Sequence, residues 1–249
     1  MGGYHSGETG GIVPETFRIL RTLLDRLDDK ETGRVIAELH CEAPQWKLDE
    51  AKHLAQLAGP EMYKKYALVE GAQWCSMDNL EQLYLQSTWE PNLSITGMSD
   101  IPPIKMAGNA VRPKTSARLS MRLPPSMDHH KAKDIMYKKL TENVPYNAKI
   151  TIVGDHAGSG FCMKDLPEWL MSTIQSSSNH FYGKAAGSYA IGGSIPFLAE
   201  LGKNFPETFI IPLGVLGPQS NAHGPNEMIN LSYTKKLVCC ISHIVGTIG

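Results

Sequence analysis

Several places along the 249 residues combine residue types with a spacing that could support chemistry. His223 follows an apolar run rich in β-branched residues, from Thr208 to Leu216, and a break at Gly217-Pro218-Gln219-Ser220. That is the pattern of a strand buried on both faces that ends in a loop. A histidine on such a loop is where α/β folds place their chemistry; a loop histidine simply bonded to backbone is the competing reading. His5 sits in a glycine-rich stretch, HSGETGG from His5 to Gly11, where backbone can come close to another molecule. The plain alternative there is a frayed terminus. The Arg122 guanidinium could clamp a carboxylate bidentately, or pair with a neighbour on an exposed strand. Gly192, Gly193 and Ser194 offer backbone N–H groups and a hydroxyl on a turn before a helix, either an anion cradle or a structural turn. His129 and His130 are adjacent on a helix and point about 100° apart, so they cannot chelate as an i, i+4 pair would.

The elements that must position these residues follow from periodicity. Pro14 opens a helix carrying Phe17, Ile19, Leu20, Leu23, Leu24 and Leu27 at helical spacing, ending near Asp29 to Gly33. Residues 34–90 are irregular, with short amphipathic pieces at Leu48–Leu57, Met62–Leu68 and Asn79–Gln86. The scattered aromatics Trp46, Trp74, Tyr84 and Trp89 read as satellite core. Asn92–Gly97 and Ser116–Leu123 alternate as strands, the second with Ala117, Leu119, Met121 and Leu123 on one face. Asp128 is an N-cap to a helix from His129 to about Asn143, and Lys149–Val153 returns as a strand. Helix, two strands, helix, strand is a ferredoxin-like sandwich without its first strand. After a hinge at Gly158–Lys164 come a helix from Pro167, the Gly192 turn, a helix around Phe197–Leu201, the apolar strand at Phe209 and a last helix from Tyr233 to about Val245. The fold class is therefore α+β over 1–160, with an insertion at about 34–90, followed by an incomplete α/β three-layer portion over 161–249.

The totals narrow the function. The length allows one large domain or two modest ones with a substantial core. Charged residues make up 20% and the net charge is −1, which gives no nucleic-acid footprint and no basic membrane patch. The five cysteines form no CxxC pair and no even disulfide framework, pointing to a reduced, intracellular, cytoplasmic protein. No apolar run is long enough to span a bilayer, and no signal-peptide pattern opens the chain. Met1 to Ser6 fits the loose myristoylation pattern, but no polybasic stretch follows it.

Four motifs in order, HSGETGG at His5–Gly11, NAVRPKTSARLSMRLPP at Asn109–Pro125, GGSIP at Gly192–Pro196 and AHGPNE around His223, resemble those of the carnosinase/aminoacylase-like di-zinc metallopeptidases, which include acetylornithine deacetylase. The cytosolic carnosinase-like dipeptidases resemble this chain most, sharing HSG, GGSIP and a long insertion between the first motifs. The resemblance implies a lid, or dimerisation, domain and then the C-terminal segment of a catalytic domain. It implies two zinc ions, with manganese as the alternative, a homodimer formed through the lid, and a peptide substrate.

By the same resemblance His223 is a metal ligand, and His5 reaches a partner subunit's active site to hydrogen-bond the oxyanion. Asn109 and Arg122, thirteen residues apart as in the family, bind substrate together with Gly193 and Ser194. A di-zinc hydrolase needs five metal-ligand side chains and a glutamate base, and the family's HxD and EE pairs are absent here. The expectation is the C-terminal part of a zinc-dependent dipeptidase, inactive alone. The alternative is a non-catalytic dimerisation or regulatory module of the same fold.

Overall fold

The structure is a computed structural model describing residues 2–64, 66, 68–75, 78–163, 165–189, 196–217 and 219–247. In chain order its elements are β1 (Tyr4–His5), α1 (Ser6–Thr9), α2 (Thr16–Leu24), α3 (Gln45–Ala58), α4 (Glu61–Lys64), α5 (Leu80–Thr88), β2 (Asn92–Ser99), β3 (Ala110–Val111), β4 (Ser116–Arg122), α6 (His129–Thr141), α7 (Glu168–Tyr182), α8 (Pro196–Asn204) and α9 (Leu231–Gly246). They gather into two compact units. The first is built chiefly of Met1–Glu42 and Thr88–Phe161, the second of Ala43–Ser87, Cys162–Ile191 and Glu200–Gly249. The irregular stretch expected at 34–90 is thus shared between them.

In the first unit β2 and β4 form an antiparallel pair, with Asn92 opposite Arg122 and a bulge between Ile95 and Gly97. The alternation of β4 works as expected on its inner side. Met121 and Leu123, with Leu93 of β2, pack with Ile135 and Met136 of α6 around Val35, Leu39 and Ala132. Asp128 caps α6, accepting from the backbone N–H groups of His130 at 2.8 Å and Lys131 at 3.4 Å. The other end of α6 is closed from outside. The Arg26 guanidinium, just beyond α2, donates to the carbonyls of Lys139, Glu142 and Asn143 at 3.0, 2.6 and 2.8 Å, satisfying acceptors that a helix end leaves open.

In the second unit α3 and α5 enclose Ala51, Leu54, Tyr63, Leu83 and Tyr84, with Trp74 against them. The expectation of satellite core holds for these aromatics. Burial pushes the Tyr84 hydroxyl up to about 12. Helices α7 and α9 form a second pair, in which the buried Ser177 hydroxyl bonds His243 Nδ1 at 2.7 Å and Tyr182 donates to the Tyr233 carbonyl at 2.8 Å.

Two expected strands are not strands. Lys149–Val153 keeps alternating exposure, with Ile150 and Ile152 half-buried, but forms no ladder. The run Phe209–Leu216 likewise forms no ladder, and Phe209, Leu213 and Leu216 are exposed. Both have strand-forming side chains, but a strand exists only beside another one. Among the described residues no strand pairs with either segment.

Candidate functional site

The glycine-rich start of the chain is ordered by long-range pairing. β1 runs antiparallel to β3, with Tyr4 opposite Val111 and His5 opposite Ala110. The next rung is the Ser6 N–H donating to the Asn109 carbonyl at 2.8 Å. Sequence reasoning named His5 and Asn109 separately, and the structure makes them neighbours. Close approach explains Gly3: a Cβ there would lie 2.6 Å from the Val111 carbonyl oxygen.

The local fold also sets the state of the His5 ring. The Gly7 N–H donates to Nδ1 at 3.2 Å, and the Thr9 hydroxyl holds the His5 carbonyl at 3.1 Å. An Nδ1 that accepts leaves the proton of the neutral imidazole on Nε2, so the outer edge of the ring presents an N–H donor. The ring is exposed.

Arg122 ends β4 opposite Asn92, exposed. Among the described residues no carboxylate pairs with it. Gly193 and Ser194 lie outside the described residues.

His223 occupies the tip of a loop that closes on itself. Ser220, only 5% exposed, accepts from the Gly217 N–H through Oγ at 2.8 Å, and its carbonyl accepts from the Met228 N–H at 3.0 Å. Asn221 donates to the Pro225 carbonyl at 2.6 Å, and the Glu227 carboxylate takes the His223 backbone N–H at 3.4 Å. Gln219, Asn221, His223 and Asn226 all have positive φ, 66°, 49°, 63° and 58°. The imidazole is exposed and not packed in hydrocarbon. Among the described residues no three His, Cys, Asp or Glu side chains stand close enough to hold a metal ion. These residues therefore do not, by themselves, fit a zinc pair. His129 and His130 are also no chelate: their rings stand 4.1 Å apart at 36°, and His129 Nδ1 lies 3.4 Å from the Ser159 hydroxyl.

In the sequence Gly7, Ser220 and Glu227 stood only as loop residues; folded, Gly7 bonds the His5 ring, Glu227 takes the His223 backbone N–H, and Ser220 ties the two ends of the loop together. The only available signal was the density of Gly, Ser and Asn around each motif, which marks turns but not their partners.

The chain superposes with a TM-score of 0.74 on an M20 family metallo-carboxypeptidase, Sso-CP2 of Sulfolobus solfataricus, at 20% identity, covering 98% of this chain and 55% of the other. The fold is that of the M20 metallopeptidases. Two further M20-type structures, the di-peptidase Dug1p of Saccharomyces cerevisiae and human carnosine dipeptidase 1, each match with a TM-score of 0.64 at 20% identity. Both alignments take in 98% of this chain, and 51% and 52% of those chains. In sequence the chain is 23% identical over its whole length to a cysteinylglycine-S-conjugate dipeptidase of Corynebacterium striatum, of which it covers 52%. No family model matches. The M20 likeness agrees with the resemblance carried by the four motifs, and the chain spans about half the length of the relatives it matches. Among the described residues no helix is long and apolar enough to cross a membrane.

Proposed function

We propose that this chain is part of a metal-dependent dipeptidase, carrying a ferredoxin-like lid over 1–160 and the closing segment of a three-layer catalytic domain over 161–249. The observation that supports it best is the bond from Gly7 to His5 Nδ1 beside the β1–β3 pairing. Amide hydrolysis passes through a tetrahedral oxyanion, and a donor fixed beforehand in a water-poor site stabilises that charge most. His5 offers its Nε2 proton as such a donor to the active site of a second copy, so the enzyme works as a homodimer. Arg122, Asn109 and the Gly193–Ser194 turn hold the free carboxylate of a dipeptide or short peptide. His223 contributes one ligand to a zinc site whose other ligands and general base come from outside this sequence. The enzyme acts in the cytoplasm.

The test uses both the 249-residue chain and the whole enzyme of which it is here proposed to be part. That whole enzyme should hydrolyse dipeptides in the presence of zinc or manganese. His5→Ala should lower its kcat by about 10²–10³-fold with little change in KM. The chain alone should neither bind zinc stoichiometrically nor turn over. Two tightly bound zinc ions with dipeptide hydrolysis by 1–249 would overturn the assignment of ligands. A non-catalytic dimerisation or regulatory module is the second reading, favoured by the solvent-facing position of His223. It requires a stable dimer whose function is unaffected by His223→Ala.

A further inference from the structure

The two faces of the β2–β4 ladder are unlike. Met121 and Leu123, with Leu93 of β2, turn into the core of the first unit. Side chains alternate along a strand, so Ser116, Arg118, Ser120 and Arg122 lie on the opposite face. Their partners on β2 are Ser99, Gly97, Ser94 and Asn92. Neither strand contains an acidic residue, and both arginines are exposed. This outer face is therefore small and polar apart from two guanidinium groups.

Among the described residues no carboxylate pairs with either arginine. The carboxylate at the far end of the ladder is already engaged. Asp100 accepts from the Ser116 hydroxyl at 2.5 Å and the Ser99 hydroxyl at 3.3 Å, and pairs with Lys114 at 3.3 Å. Opposite Arg118 stands Gly97, where even an added Cβ would reach only ordinary contact, 3.7 Å from the Arg118 Cβ. Opposite Arg122, the Asn92 side-chain oxygen is turned to the Ser94 hydroxyl, which donates to it at 3.1 Å. The face thus carries two positive charges with no counter-charge of its own, and it complements an anion with two charged groups.

We propose that Arg118 is a second carboxylate clamp beside Arg122, and that the peptide substrate carries an acidic side chain as well as its free carboxylate. This requires Arg122 to take the free carboxylate, as in the function proposed above. Four residues along a strand put the two Cα atoms about 13 Å apart. Two long side chains leaning together reduce that gap to the separation of two carboxylates on a short peptide. Each guanidinium offers a planar fork of donors that fits a carboxylate with two parallel bonds. A neutral peptide needs only one of them and leaves the other unpaired on the same face. An acidic side chain pairs it, whereas a basic one would meet a like charge and be rejected.

Steady-state kinetics of the whole enzyme with Ala-Glu and Glu-Ala, against their uncharged counterparts Ala-Gln and Gln-Ala, reads this. For at least one of the two positions, kcat/KM should favour Glu over Gln by about tenfold or more. Arg118→Gln should bring that ratio to within about twofold of one. Gly97→Glu places a carboxylate across the ladder from Arg118 and should do the same without altering the arginine. Circular dichroism checks that both variants remain folded, and if one does not, the other decides. A native ratio near one at both positions would overturn the role of Arg118 while leaving dipeptide hydrolysis in place. So would a preference for Glu that survives Arg118→Gln or Gly97→Glu. No turnover of any of the four peptides by the native enzyme would instead overturn the proposed function, and this substrate class with it.

Discussion

His5 depends on Gly7 for its tautomer, and α6 depends in the same way on Asp128 for its first turn. The backbone N–H of His130, and then that of Lys131, hold the Asp128 carboxylate below the usual carboxylate range. Its folded-state pKa is thus lower than its unfolded one. The stabilisation is present above the unfolded value and is lost as pH falls through the folded one, below about pH 4. Asp29, Asp100 and Asp155 are also held low, by Thr32, Ser116 and Lys133 first, and act with the same sign. A comparison isolates Asp128. Asp128→Asn keeps a capping oxygen without a titrating group, so its thermal midpoint should match the native one near neutrality and fall less on acidification. Melts followed by circular dichroism at pH 7 and pH 3 check this; equal losses in the two proteins would remove Asp128 from the acid response.

At the scale of elements, the two-residue pairing of β1 with β3 decides whether His5 and Asn109 meet. Gly3→Ala would force the strands apart at the Val111 carbonyl. In the whole enzyme proposed above it should lower kcat by about tenfold or more without loss of bound metal, because misplacement of a positioned group is costly. Steady-state kinetics with metal content measured alongside would show this. Native kcat in Gly3→Ala would mean that the pairing does not position the histidine. Periodicity revealed the helices, and it revealed β4, because their apolar faces are written within a few residues. It could not reveal β1–β3, a pairing across more than a hundred residues with no pattern of its own. It failed differently at Phe209–Leu216 and Lys149–Val153, where side chains suit a strand but pairing depends on a neighbour. Arg26 was equally hidden: its carbonyl acceptors lie on a helix over a hundred positions away.

For the molecule as a whole, the two units have separate cores, so core damage should be local in origin. Leu39 is fully buried beside Val35 and Ala132 in the first. Leu39→Ala should cost about 2–5 kcal/mol, the usual range for a buried leucine truncated in a packed site. Urea unfolding read by circular dichroism measures it, and a loss below about 1 kcal/mol would show that the site collapses to fill the space. The site was legible only in fragments at this scale: His5, Asn109, Arg122 and His223 could be named from motifs, but the contacts that orient them come from folding. The closed loop at 217–228 has one more consequence, for mutational tolerance. Four of its positions adopt left-handed backbone without being glycine, a geometry that asparagine accepts and β-branched residues resist. In a saturation library selected for folded protein, Asn and Gly should persist at 219, 221, 223 and 226 while Val and Ile disappear. Position 223 would then be constrained by its backbone before any demand is made on its imidazole.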